Sequence, residues 1–151
     1  MVTKNKQTGN KATANCQMEM LKQADNLENT ILKELNKSKK SAIKDPTVDS
    51  EAALEAALVV GLSTNEKIRK AEDKLRKQVI EKKCKDLAPA AVPNVFSGDC
   101  SDLDLGDVVE CVIDRTRCAT CRKYNRFDDL ELDCDVIDDA DGGNASCPLL
   151  P

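Results

Sequence analysis

Apolar positions become periodic at Cys16. From there Met20, Leu21, Ala24, Leu27, Ile31, Leu32 and Leu35 recur at steps of three and four, with charged residues filling the other positions. Residues three and four apart share one side of an α-helix, so this spacing predicts a single amphipathic helix with one apolar stripe. Its end is expected in residues 37–44, where lysines suit the negative end of the helix dipole, and Asp45-Pro46 then breaks it. Asp49 or Ser50 is placed to cap a second, Ala-rich helix over residues 51–60 that closes at Gly61. Ser63-Thr64-Asn65-Glu66 fits a capping box, in which the Ser63 hydroxyl accepts from a free amide and Glu66 reaches back to another. The third helix carries the stripe Ile68, Ala71, Leu75, Val79 and Ile80, and it runs to about Lys83 or Cys84. Ala88-Pro89 and Val92-Pro93 stop it. Residues 104–124 read as a shorter helix bearing Leu105, Val108, Val109, Val112 and Ile113, and after Asn125 the chain turns acidic and loop-like.

This pattern predicts an all-α protein: a helical hairpin or three-helix unit over residues 15–85, then a Pro-containing linker at 86–98. A small cysteine-rich module with a short helix and an acidic loop follows at 99–151. Residues 1–14 have neither periodicity nor apolar content and read as a disordered tail.

Composition then removes whole classes of function. Phe96, Phe127 and Tyr124 are the only aromatics and Trp is absent, which leaves no aromatic platform for stacking bases. There is no His, so Ser-His-Asp and Cys-His nucleophile pairs, His-ligated zinc and His-ligated haem all fall away. No glycine pattern of the Walker or dinucleotide-binding kind is present. The net charge of −4 conceals an asymmetry: residues 1–85 carry 18 Lys or Arg against 12 Asp or Glu, and residues 86–151 carry 5 against 15. Charges in the basic half are interspersed, as in Glu72-Asp73-Lys74, which is how a solvated helix face reads, and nucleic acid is not the expected partner. The longest apolar run, residues 56–62, is far short of the roughly 18 residues a membrane span requires. Residues 1–14 lack the apolar segment of a signal peptide, so an exported chain is expected to have lost its leader.

The 8 cysteines carry most of the remaining information. An even number at this density favours a disulfide framework in an oxidising compartment. Cys16 and Cys84 flank the helical half, and if the first and third helices lie antiparallel they come side by side and form one bond. Cys100, Cys111, Cys118, Cys121, Cys134 and Cys147 crowd the last third, and spacing alone leaves their pairing open. Cys118-Ala119-Thr120-Cys121 follows a helical stretch, whereas a redox pair needs a preceding strand and a helix N-terminus. Arg122 stands where haem attachment needs His. A zinc site could draw on Cys118, Cys121, Cys134 and either Cys111 or Cys147, although a second Cys-x2-Cys knuckle is missing.

Residues 128–141 hold eight carboxylates and no base. Asp133, Asp135, Asp138, Asp139 and Asp141, followed by Gly142-Gly143-Asn144, supply hard oxygen ligands on a turn-forming stretch, so weak calcium binding through Asp133, Asp135, Asp139 and Asp141 is the alternative function. The register is not that of an EF-hand: with Gly142 at the sixth loop position the first is Ile137, and no Glu follows at the twelfth.

Two stretches carry a resemblance. Cys16-Gln17, Lys70-Ala71-Glu72-Asp73-Lys74-Leu75-Arg76 and Cys84 make the first, and the second runs from Cys118 and Cys121 through Asn125, Asp128, Leu130 and Asp133-Cys134-Asp135 to Asn144, Ser146 and Cys147. Together they touch about half of the chain, which resembles a loose group of secreted, cysteine-rich helical proteins of deltaproteobacterial type with no assigned function. The resemblance implies export and a disulfide framework. Members of that group usually carry two further cysteines between the first and third helices; their joint absence here implies the loss of one whole disulfide and agrees with pairing Cys16 to Cys84. No catalytic or binding residue transfers. The expected function is therefore that of an extracellular or periplasmic, disulfide-stabilised structural or interaction module, non-enzymatic and without a cofactor, acting on a protein or cell-surface partner. Calcium binding is the first alternative and a cytosolic zinc protein the second.

Overall fold

The computed structural model describes residues 4–96, 100, 103–138 and 147. Among these the chain is helical and contains no strand. Helix α1 spans Lys4–Ala42, α2 Glu51–Ser63 and α3 Glu66–Arg76, which continues as a π-helical stretch over Lys77–Lys83. A 3-10 turn at Pro89–Ala91 leads into α4, Val92–Val95; α5 covers Leu105–Asp128 and α6 Cys134–Asp138.

Helix α1 is the spine, 39 residues and about 58 Å long. Of the predicted stripe it buries Met20, Leu27, Ile31 and Leu35, with Cys16 beside them, half-buries Ala24 and Leu32 and leaves Leu21 exposed, and it closes on Lys39 and Lys40 in its last turn. It begins at Lys4, however, so residues 4–14 are helical where a disordered tail was expected. Propagating a helix adds one hydrogen bond per residue ordered, whereas starting a new one is costly, so a helix already nucleated on a packed face extends past its apolar stripe.

The turn after α1 is held by Asp45, whose Oδ1 accepts from the Thr47 amide at 2.9 Å and hydroxyl at 2.7 Å. Ser50 caps α2, its Oγ accepting from the Ala53 amide at 3.3 Å. Gly61 does not end α2. The helix passes through it to Ser63, and a Cβ at Gly61 would sit 2.8 Å from the Ser38 hydroxyl of α1. The glycine is a close-packing site rather than a stop signal. The capping box also shifts: Asn65, not Ser63, caps α3, with its Oδ1 accepting from the Lys67 amide at 2.9 Å and the Ile68 amide at 3.2 Å.

Helix α3 lies antiparallel to α1, with Lys67 beside Glu34 at one end and Cys84 beside Cys16 at the other. The π-helical stretch makes the second meeting possible. Five residues of ordinary α-helix turn through about 500°, which would carry Cys84 some 140° around from the buried Val79. Widening to an i→i−5 bond, in which the Cys84 amide donates to the Val79 carbonyl at 2.8 Å, brings both onto the core face.

The segment 86–98, expected as a linker, is mostly exposed where it is described but anchors on the core through two residues. Val92 and Val95 are buried in the same apolar cluster as Cys16, Met20, Val108 and Tyr124, and the Gln17 side-chain amide donates to the Val95 carbonyl. One core thus runs through both halves. Asp104 caps α5 by accepting from the Asp107 amide at 2.9 Å. Helix α5 buries Val108, Val109, Ile113, Cys118, Thr120, Cys121 and Tyr124 because α1, α3 and α6 all pack on it. It ends with Asp129 in the left-handed region at φ 52°, which glycine favours and which Asp enters more readily than most other residues. Asn125 then clamps the returning chain: its Nδ2 donates to the Leu132 carbonyl at 2.9 Å and its Oδ1 accepts from the Leu132 amide at 3.0 Å.

Candidate functional site

All 8 cysteines are joined in pairs: Cys16 to Cys84, Cys100 to Cys111, Cys118 to Cys147, and Cys121 to Cys134. The first closes the α1–α3 hairpin. The second ties the approach of α5 to its own second turn, and the last two fasten the acidic segment to α5. Cys118 and Cys121 lie one turn apart on α5, and each is bonded to a different partner, so they are not a dithiol pair. The zinc reading fails for the same reason. Zinc is held by thiolates, and Cys118, Cys121, Cys134, Cys111 and Cys147 have each given up theirs to a disulfide.

Of the carboxylates considered for calcium, Asp133 serves the backbone. Its Oδ1 accepts from the Asp135 amide at 3.1 Å and the Val136 amide at 3.4 Å, capping α6. Asp135 stands in the first turn of that helix, and Asp139 and Asp141 lie outside the described residues. Among the described residues no three Asp, Glu, Cys or His side chains gather in a way that could hold a metal ion.

Ion pairs bind the halves together. Arg117 on α5 donates through Nε to the buried Glu72 of α3 at 2.6 Å and through Nη1 to the Ile137 carbonyl of α6 at 3.3 Å, so one guanidinium ties three helices. Arg76 grips Glu110 with two bonds, at 2.6 and 2.8 Å. Lys39 meets Asp128 at 3.0 Å and Lys123 meets Glu28 at 2.7 Å. Tyr124 sits in this region with its hydroxyl buried and without a hydrogen-bond partner. Burial first, and then the nearby Asp128 carboxylate, push its titration well above the ordinary phenol range.

A concavity lies elsewhere among the described residues. It is an open groove of about 520 Å³ between α1 and α3, walled by Gln23, Asn26, Asn29, Thr30, Lys33 and Glu34 on one side and by Lys67, Lys70, Ala71 and Lys74 on the other. The antiparallel placement aligns the walls so that the Gln23 end faces Lys74 and the Glu34 end faces Lys67. Glu34 closes the second end. It accepts from the Asn65 amide at 3.1 Å and from Lys67 Nζ at 3.2 Å, with Lys37 at 3.9 Å. The Asn65 amide foremost, with Lys67 and Lys37 adding to it against the effect of burial, holds the Glu34 carboxyl below the usual carboxylate range. Lysines outnumber carboxylates here, and Lys37 is pushed below the ordinary ammonium range chiefly by Lys67, with Lys33 contributing. Among the described residues Lys33 and Lys74 form no ion pair. At the other end Gln23 is 3 % exposed; its Nε2 donates to Glu19 at 2.7 Å, and its carbonyl oxygen has no partner.

The sequence reading missed this groove because each of its charges belongs to an ordinary solvated helix face. One signal was present: Lys67, Lys70 and Lys74 repeat at three and four, on a single side of α3. That stripe becomes a wall only when α1 lies opposite it.

No family model, no curated protein and no solved structure matches this chain. Among the described residues no helix is long and apolar enough to cross a membrane. The fold and its bonds define an all-α, disulfide-stabilised module, and the chemistry of the groove is what remains to indicate a function.

Proposed function

We propose that this protein is an exported, non-catalytic interaction module, a helical scaffold stapled by four disulfides that presents the α1–α3 groove to a partner at a cell surface. The groove carries the proposal. Its walls belong to helices joined at one end by Cys16–Cys84 and at the other by Glu34, Asn65 and Lys67, so it is preorganised, and little ordering is left to oppose binding. The side chains that line it are amides, one hydroxyl, ammonium groups and a carboxylate already engaged. That inventory recognises a ligand by charge and hydrogen bonding and offers no activated nucleophile. Export accords with the disulfides, which persist in oxidising compartments.

The test has two parts. Protein recovered after export should have an intact mass lower by eight protons than its fully reduced form, two for each disulfide. Labelled oxidised protein should bind intact cells of the organism that encodes it, and the doubly substituted Lys33→Glu/Lys74→Glu protein should not, with both melting at the same temperature. Thiols that stay reduced in the exported protein, or equal retention of the two proteins on cells, would refute the proposal.

A further inference from the structure

We infer that the ligand of the α1–α3 groove is a linear acidic polysaccharide whose uronate carboxylates meet the lysines while its hydroxyls meet the amide wall. This rests on the groove being the binding surface proposed above. Three observations select the ligand. The first is the division of labour across the groove. Gln23, Asn26, Asn29 and Thr30 on α1 supply neutral donors and acceptors along about 10 Å of helix, with Lys33 and the engaged Glu34 beyond them, and Lys67, Lys70 and Lys74 on α3 face that wall with charge. A uronate chain alternates the same two chemistries, a carboxylate on each ring with hydroxyls between.

The second is the spacing. Lys67, Lys70 and Lys74 rise by about 4.5 and 6 Å along α3, closer together than the nearly 7 Å that separates same-face side chains of an extended acidic peptide. A docked acidic helix would want apolar anchors, and Ala71 is the only apolar residue in the lining. Single-stranded nucleic acid would want an aromatic face, and the lining has none.

The third is Gln23. Its nitrogen is engaged by Glu19, and its buried carbonyl oxygen lacks a donor. A bare carboxylate or phosphate brings no donor to it, whereas a sugar hydroxyl does. Gln23 lines the groove, so a small opening at that end lets a hydroxyl supply the missing donor, which fits a ligand that carries hydroxyls as well as charge.

The experiment titrates the full-length oxidised protein with three hexamers: oligogalacturonate, its neutral methyl ester and oligo-L-glutamate. Calorimetry measures the affinity, and backbone amide shifts locate the site. The galacturonate hexamer should shift residues on α1 between Gln23 and Glu34 and on α3 between Lys67 and Lys74, and it should bind at least tenfold more tightly than either comparator. Its binding should weaken with added salt and fall at least tenfold in Lys33→Glu/Lys74→Glu. Gln23→Met, which keeps the apolar volume and removes the acceptor, should weaken galacturonate and leave glutamate unchanged. Equal or tighter binding of the glutamate hexamer overturns the inference in favour of an acidic peptide. Galacturonate shifts that map away from the groove also overturn it. If galacturonate does not bind while Lys33→Glu/Lys74→Glu still abolishes retention on cells, the polysaccharide is wrong and the interaction groove stands; if both effects are absent, both fall.

Discussion

Removing the Cys16–Cys84 bond isolates the contribution of one cross-link to the helical half. The two cysteines are 68 residues apart, and the other three disulfides all join residues between Cys100 and Cys147, so none of them constrains the same loop. On the chain-entropy relation a loop of that length loses roughly 15 cal/mol/K when closed, about 4.4 kcal/mol at 25 °C. For a chain of 151 residues, unfolding entropy of about 2.1 cal/mol/K per residue converts this into a fall in melting temperature of about 14 °C. The double variant Cys16→Ala/Cys84→Ala, followed by circular dichroism on heating, should show that fall with the low-temperature helix signal nearly unchanged, because Met20, Leu27, Ile31, Leu35, Leu75 and Val79 still pack. Cys100→Ala/Cys111→Ala opens a loop spanning only 11 residues, for which the same relation returns about 2.8 kcal/mol. The ranking of the two variants is the test. A smaller fall for the Cys16/Cys84 variant than for the Cys100/Cys111 variant, or loss of helix in the cold, would refute the reasoning that the bond acts mainly on the unfolded chain.

Three further outcomes are expected. Tyr124 is the only Tyr and there is no Trp, so phenolate absorbance reports it alone. Its native titration is raised, so its contribution to stability is complete below the unfolded value near pH 10 and is lost as pH climbs above it. The phenolate should therefore appear in the native protein only well above that pH, and a native midpoint equal to that of the denatured protein would contradict its burial. Glu34 is lowered, so its contribution is complete above the ordinary value of 4.5 and is lost as pH falls below it; denaturant melts of Glu34→Gln should show a shallower acid decline than the parent between pH 5 and 2. A decline of unchanged steepness would remove Glu34 from the account. Arg117→Ala leaves the buried Glu72 uncompensated and should cost about 3 kcal/mol in urea unfolding, discounted from the buried-pair range because the guanidinium is a quarter exposed. Adding Glu72→Gln should recover part of that loss, and strict additivity of the two changes would show that the pair is not coupled.

The sequence by itself determined what depends on near neighbours along the chain. The stripe at Met20, Leu27, Ile31 and Leu35, the cap of α2 at Asp49 or Ser50, the breaks at Asp45-Pro46 and before Pro89, and the helix through Val108 and Ile113 all follow from steps of three and four and from side chains that bond amides a few residues away. The even cysteine count was legible in the same way, whereas the pairing of Cys16 with Cys84 followed only on the condition that the first and third helices lie antiparallel. Tertiary structure decided whatever required a partner distant in sequence. Gly61 reads as a stop until Ser38 is seen pressing on it, and Asn65 displaces Ser63 as the cap because its amide nitrogen also reaches Glu34 on another helix. The π-helical widening before Cys84 breaks the local period to satisfy a disulfide and the core at once. The pairings Cys118–Cys147 and Cys121–Cys134 depend on where α6 and the acidic segment settle against α5, and Cys100–Cys111 on how the chain approaches α5, choices that spacing leaves open. The groove belongs wholly to this second class: Asn26, Asn29 and Lys33 on one helix and Lys67, Lys70 and Lys74 on another are separate solvated faces in sequence, and only antiparallel packing makes them the two walls of one site.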